Sequence, residues 1–158
     1  MNSRSRLSVI IGSFLGTGFL PAIPGTWGSL AALPVIWVIY SFPGIWALGL
    51  FTVIACILSW WSTTEFEKHY GPDPGPLVMD EVAGMSLCML LIFAFWPVES
   101  TWHIWLAGFL SFRFFDIIKI LGVNALQSIG GGAGVLLDDL LAGFYAHLAT
   151  VLLILFVF

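Results

Sequence analysis

Six apolar runs, at 7–20, 30–42, 45–61, 82–96, 102–121 and 136–158, take up most of this chain of 158 residues, and the stretches between them are too short to fold alone. A soluble domain draws roughly a quarter of its residues from Asp, Glu, Lys and Arg. Here those four make up 9%, against 59% hydrophobic residues. Such an inventory cannot build a water-facing shell. It suits lipid, where a crossing helix needs roughly 20 apolar residues to span a hydrocarbon core about 30 Å thick. The expected fold is therefore all-α, a polytopic transmembrane helical bundle of about five crossings, with 7–20 as an additional N-terminal interfacial or re-entrant helix. One integral-membrane domain is expected over 1–158.

Nine acids against five bases give a net charge of −4. That excludes a nucleic-acid surface, which needs clustered Lys and Arg. Arg4 and Arg6 before an apolar run superficially copy a signal peptide, but the run leads into Pro21, Pro24 and Gly25 with no small-x-small cleavage site, so the segment is expected to be retained. Cys56 and Cys88 lie within apolar runs and read as small hydrophobes.

The connections alternate in character. Those at 43–44 and 97–101 are short, whereas 62–81 and 122–135 are longer and richer in polar residues and glycine. Antiparallel helices then put the short links on one side and the long ones on the other. Arg4, Arg6, Lys68, Arg113 and Lys119 fall on the side of the long links, or within about two turns of it, and the short links carry no Lys or Arg. The positive-inside rule places that side in the cytoplasm. Trp46, Trp96 and Trp102 would then mark the outer interface, and Trp27, Trp60 and Trp61 the inner one. The runs 30–42 and 82–96 are short for a full crossing, which implies tilt or local thinning.

Sorted by depth, the acids gather. Asp80 and Glu81 open the fourth run, Asp116 sits in the cytoplasmic half of the fifth, and Asp138 and Asp139 lie just inside the sixth. Ionised carboxylates crowded in a low dielectric repel one another, so the cluster is costly unless something neutralises it. A hard divalent cation with oxygen ligands, Mg²⁺, is the natural neutraliser. A single acid at a helix start needs no such explanation, because the macrodipole favours it; two adjacent pairs and an embedded Asp together do. Arg113, Asp116 and Lys119 are spaced three apart, so they share one slowly drifting helix face. They can form an ion-pair ladder, or present a metal-binding carboxylate between two phosphate-binding cations. Two glycine-rich stretches, Gly25-Thr26-Trp27-Gly28-Ser29 and Gly130-Gly131-Gly132-Ala133-Gly134, precede runs on the same side. Glycines before a helix let backbone amides approach an anion, and they serve equally as turn or packing residues.

Pro24-Gly25-Thr26-Trp27-Gly28-Ser29, Asp80-Glu81-Val82-Ala83-Gly84, Phe112-Arg113-Phe114-Phe115-Asp116-Ile117-Ile118-Lys119, Gly131-Gly132-Ala133-Gly134 and Asp138-Asp139-Leu140-Leu141-Ala142-Gly143, in that order, resemble the phosphatidylglycerophosphatase A family of Mg²⁺-dependent lipid phosphatases of the bacterial inner membrane. The resemblance runs from about residue 12 to about residue 143. It implies hydrolysis of the phosphomonoester of phosphatidylglycerophosphate, giving phosphatidylglycerol and phosphate. It also implies that Asp80, Glu81, Asp116, Asp138 and Asp139 are catalytic, with Asp80, Glu81, Asp116 and Asp139 holding Mg²⁺. Thr26, Ser29, Arg113 and Lys119 become phosphate contacts. The chain departs from the family pattern after the lysine, where many relatives have Pro-x-Pro-Ile and this chain has Ile120-Leu121-Gly122-Val123, and before the Asp-Glu pair, where Pro76 stands at a position often Glu or Ser. The missing prolines are expected to alter the exit from the fifth helix and the placement of Lys119.

Other lipid-phosphate chemistries leave signatures that are missing. Neither Cys56 nor Cys88 has an arginine six residues on, no Asp-x-Asp-x-Thr occurs, and His69, His103 and His147 lack the context of a phosphohistidine enzyme. The Asp-Gly-x₂-Ala-Arg signature of CDP-alcohol transferases is also missing. An ion-binding transporter would scatter its acids through the bilayer depth.

Overall fold

In a computed structural model, residues 3–71, 74–96, 99–120, 126 and 131–157 are described, and among them the chain is helical with no strand. The order is α1 (Ser3–Gly12), a 3₁₀ turn (Thr17–Phe19), α2 (Pro24–Ser41), α3 (Ile45–Tyr70), α4 (Met79–Phe95), α5 (Trp102–Ile118) and α6 (Gly131–Val157). Among the described residues, two helices, Ile45–Tyr70 and Gly131–Phe156, are long and apolar enough to cross a membrane. The 17-residue α4 and α5 reach only about 26 Å at 1.5 Å per residue.

Several boundaries differ from those read off hydropathy. The run 7–20 is not one helix, because the backbone turns after Gly12. Ser13 supplies the turn with its own hydrogen bonds, accepting from Gly16 N–H through Oγ at 3.1 Å and from the Thr17 hydroxyl through its carbonyl at 3.1 Å. Phe14, Leu15 and Gly16 follow at positive φ. Hydroxyls that offer the backbone such partners compete with helix continuation. Pro24 occupies the first turn of α2, where its missing N–H would be unsatisfied anyway, so Gly25 to Ser29 lie inside a helix and not before it.

At the other long link, α3 runs nine residues past Trp61. Ser62 and Thr63 donate to Leu58 and Ser59 carbonyls, each at 2.8 Å, so the polar stretch satisfies its hydroxyls on its own helix. Gly131 to Gly134 form the first turn of α6; Gly130, with most of the preceding connection, lies outside the described residues.

Helix α4 is the axis of the bundle. It packs on α2, α3, α5 and α6, and Val82, Ala83, Met85, Cys88, Met89 and Ile92 are wholly buried. The outer faces of the surrounding helices are apolar as well, with Trp46, Leu50, Ile57, Leu110 and Leu155 exposed. An apolar core inside an apolar exterior is what a chain with few charges must produce.

The crossing of α4 and α6 has a specific cause. Each helix carries Asp-x-x-Ala-Gly, as Asp80 to Gly84 and Asp139 to Gly143. A β-carbon on Gly143 would collide with the Gly84 carbonyl, and one on Gly84 would meet the Asp139 carbonyl oxygen at 2.6 Å and the Phe112 ring at 2.7 Å. The backbones therefore touch directly. Since residues four apart share a helix face, Asp80 and Asp139 are set one turn above that contact.

Gly143→Val should lower the stability of the detergent-solubilised protein by about 1–3 kcal/mol, the range for forced overpacking. A thermal unfolding midpoint equal to wild type would show that α4 and α6 separate freely.

Candidate active site

Helices α2, α4 and α6 begin, and α3 and α5 end, at one end of the bundle. There a cavity of about 300 Å³ is lined by Asp80, Glu81, Arg113, Asp116, Lys119, Asp138 and Asp139. Seven of the nine site residues expected from the sequence therefore meet in one place, although they come from three helices and lie up to 59 positions apart.

Asp80 and Glu81 sit in the first turn of α4, and Asp80 Oδ1 accepts the Glu81 N–H at 3.1 Å. Asp138 Oδ1 likewise accepts the Asp139 N–H at 3.1 Å on α6. Oxygens of Asp80, Glu81 and Asp139 lie within 4.8 Å of one another. Asp116 stands beside Asp139, within hydrogen-bonding reach of it, and pairs with Arg113 one turn back on α5.

Lys119 caps α5 in the left-handed conformation (φ 50°, ψ 43°), its N–H donating to the Phe115 carbonyl at 2.9 Å. Its Nζ is 2.7 Å from Asp138 Oδ2. The chain thus leaves α5 at a sharp turn even though Pro-x-Pro-Ile is missing; Leu121 to Val123 lie outside the described residues.

Thr26 and Ser29 do not line the cavity. Ser29 is fully buried behind it, donating to the Gly25 carbonyl at 2.8 Å and accepting from Arg113 Nη1 at 3.4 Å. Its place is as a support for the arginine. Gly25 gives the anion-approach reading a different partner: a β-carbon there would collide with the Glu81 carboxylate. The anion against the start of α2 is the protein's own. Gly132 packs on α3, so the second glycine stretch acts in packing.

Sequence reasoning did not find the apolar and loop residues that complete the cavity, among them Ile23, Pro74, Gly75, Ile117 and Val135. Nothing in their residue type announces a site; only proximity to the charged positions does.

The charge balance decides what the site accepts. Asp80, Asp116, Asp138 and Asp139 are buried, and with Glu81 they face the two cations Arg113 and Lys119. Buried like charges that outnumber their partners are destabilising without a further cation. Among the described residues, two buried side-chain atoms at the site also lack hydrogen-bond partners, Glu81 Oε2 and Arg113 Nε. One is an acceptor beside the carboxylate trio and the other a donor on the phosphate-type guanidinium. An all-oxygen donor set with an orphaned acceptor fits a hard divalent cation such as Mg²⁺, and an arginine fork with a free N–H fits an anion.

The family model described as phosphatidylglycerophosphatase A matches residues 10–154. The chain is 35% identical over 154 residues to a Bacteroides thetaiotaomicron protein provisionally named a phosphatidylinositol-3-phosphatase, covering 94% of each. It is 32% identical to the phosphatidylglycerophosphatase A of Haemophilus influenzae, over 83% of this chain and 78% of that one. With the phosphatidylglycerophosphatase A of Escherichia coli it shares 31% identity, over 81% of this chain and 72% of that one. No solved structure matches it.

Lys119→Met leaves Asp138 facing the cavity without its ammonium partner. The loss should be about 1–3 kcal/mol, below the figure for a fully buried pair because the lysine side chain is 27% exposed. Adding Asp138→Asn to that variant should restore most of the unfolding midpoint, and failure to do so would mean that the lysine stabilises by other contacts.

Proposed function

The chain belongs to the phosphatidylglycerophosphatase A family of phosphatase hydrolases, and from that premise we propose that it hydrolyses the phosphomonoester of phosphatidylglycerophosphate, with Mg²⁺, at the cytoplasmic face of a bacterial inner membrane. The observation that carries this reading is the single cavity in which five carboxylates and two cations meet at one end of an apolar bundle. In keeping with a phospholipid substrate, the chain would be multi-pass and membrane-embedded over its whole length, with the lipid's tails remaining in the bilayer. Arg6, Lys68, Arg113 and Lys119 lie toward the cavity end, which supports a cytoplasmic orientation.

Asp80, Glu81 and Asp139 would hold the Mg²⁺, with Asp116 adjoining them. The bound cation supplies neutralising charge and Lewis acidity toward the phosphoryl oxygens. The starts of α4 and α6 point their positive dipole ends at the same space, which favours a phosphate there. Arg113, held by Ser29 and Asp116, offers its free Nε–H to one phosphoryl oxygen, and Lys119 offers Nζ to another. Each interaction strengthens as charge accumulates on those oxygens. One of the site's aspartate carboxylates takes the proton from the attacking water, whose oxygen bonds to phosphorus as the phosphorus–oxygen bond to the glycerol breaks; the glycerol oxygen takes up a proton to give phosphatidylglycerol, and the phosphoryl group departs as inorganic phosphate.

The transferase and transporter readings are not favoured, since the acids share one level and the family is a hydrolase family. The name of the Bacteroides relative makes phosphatidylinositol 3-phosphate the substrate to compare. Purified protein in detergent should release phosphate from phosphatidylglycerophosphate faster than from that lipid, cease to do so with a chelator, and recover on adding Mg²⁺. Asp139→Asn, which takes one carboxylate from the cation-holding set, should abolish most phosphate release while the protein stays folded. Wild-type turnover in that variant would remove the residue from the reaction.

A further inference from the structure

A lipid phosphatase must bring a headgroup to its carboxylates while two acyl chains stay in hydrocarbon, so one wall of the cavity has to open sideways. Among the described residues, apolar recesses lie in three gaps between helices, and the structure distinguishes them. The recess between α3 and α6, at Cys56, Ile57, Trp60 and Leu136, is shut off from the carboxylates by direct backbone packing: a β-carbon on Gly132 would meet the Trp60 carbonyl and Thr63 at 3.3 Å. The recess between α5 and α6, at Leu106, Leu110 and Leu153, is closed toward the site by the Phe115 and Tyr145 rings, 5.7 Å apart. Between α2 and α5 the helices barely touch. Their link beside the cavity is the 3.4 Å hydrogen bond from Arg113 to Ser29.

The cavity reaches the surface at that third gap, as well as at the exposed Gly75 of the loop before α4. Ile23, just before α2, and Ile117, at the end of α5, both line the cavity, and they are 52% and 65% exposed. Residues four apart share a helix face. On α2 the face that holds Ser29 continues through Leu33 to Trp37, and on α5 the face that holds Arg113 continues back through Phe109 to Trp105. The two stripes meet again at the far end, where Leu33, Trp37 and Trp105 line an apolar recess of about 320 Å³. From Gly25 to Trp37 the groove is 12 residues long, about 18 Å. That is close to one leaflet of hydrocarbon, about 15 Å.

We infer that the acyl chains of the substrate lipid lie in the groove between α2 and α5, and that the headgroup enters the cavity sideways between Ile23 and Ile117. This rests on the lipid-phosphatase reading above. Ser29 then has a second consequence: the hydrogen bond that holds Arg113 stands at the point where headgroup and chains divide. The groove contributes affinity through the chains and nothing to the phosphoryl chemistry.

The experiment compares long-chain (dioleoyl) with short-chain, water-soluble (dihexanoyl) phosphatidylglycerophosphate in wild type and in Leu33→Trp, which fills the groove far from the carboxylates. The expected result is a fall in kcat/KM on the order of tenfold or more for the long-chain substrate, equivalent to about two lost methylene contacts. Dihexanoyl turnover should stay within about twofold of wild type, since no phosphate contact changes. An equal loss on both substrates, or none on either, would overturn the groove. Wild type that releases phosphate from neither substrate would instead overturn the phosphatase reading itself.

Because a core-facing tryptophan can also unfold a helix pair, a second measurement uses the unaltered chain. A phosphatidylglycerophosphate with a diazirine at mid-chain should label α2 and α5 near Leu33, Trp37 and Trp105, and excess unlabelled substrate should suppress that labelling. Substrate-suppressible labels near Trp60 on α3 or Leu153 on α6 would place the chains elsewhere, and labels insensitive to competitor would be bulk lipid contact only.

Discussion

Mutual repulsion of carboxylates is the constraint around which this bundle is arranged. Asp80, Asp116, Asp138 and Asp139 are buried at one end of a molecule that is otherwise apolar inside and out. Five carboxylates share the cavity, and Arg113 and Lys119 are too few to balance them. Such a group can be held only by a scaffold that over-determines its position. The scaffold is the backbone contact of Gly84 with Gly143, which fixes α4 against α6 and so sets the distance between Asp80 and Asp139. Stability invested in that crossing balances electrostatic strain at the site, and on the proposed reading a divalent cation would relieve that strain.

The same constraint orders the second layer of residues. Arg113 is held by a carboxylate ahead of it and a hydroxyl behind it, so its guanidinium has little rotational freedom to lose when an anion arrives. Gly25 lets the Glu81 carboxylate sit against the first turn of α2, where the helix field offsets part of its charge. The protein's own carboxylate occupies the kind of place usually discussed for phosphate.

Much of this was legible in the residues. Scarce charge made each acid conspicuous, and antiparallel runs with alternating link lengths brought Asp80, Asp116 and Asp139 to one level before any coordinates. Three things were not legible. The run 7–20 breaks because Ser13 and Thr17 hydroxyls capture backbone groups, and hydropathy does not register a hydrogen bond. Helix α3 runs on to Tyr70 because Ser62 and Thr63 bond back to their own helix, so polar residues that mimic a loop are helical. Ser29 faces the arginine and not the cavity, which depends on the azimuth of α2, a tertiary quantity. The two Asp-x-x-Ala-Gly segments carried the crossing in plain view, but a glycine in an apolar helix has many uses and only the packing selects one.

If Asp80, Glu81 and Asp139 form a strained cation site, thermal unfolding of wild type and Glu81→Gln with and without Mg²⁺ will show it. Removing one of the mutually repelling carboxylates should leave the cation-free variant at least as stable as cation-free wild type, because repulsion is relieved and the isosteric amide keeps the packing. Mg²⁺ should raise the unfolding midpoint of wild type and leave that of the variant nearly unchanged. A wild-type midpoint indifferent to Mg²⁺, or a variant that responds to it as strongly as wild type, would contradict the account.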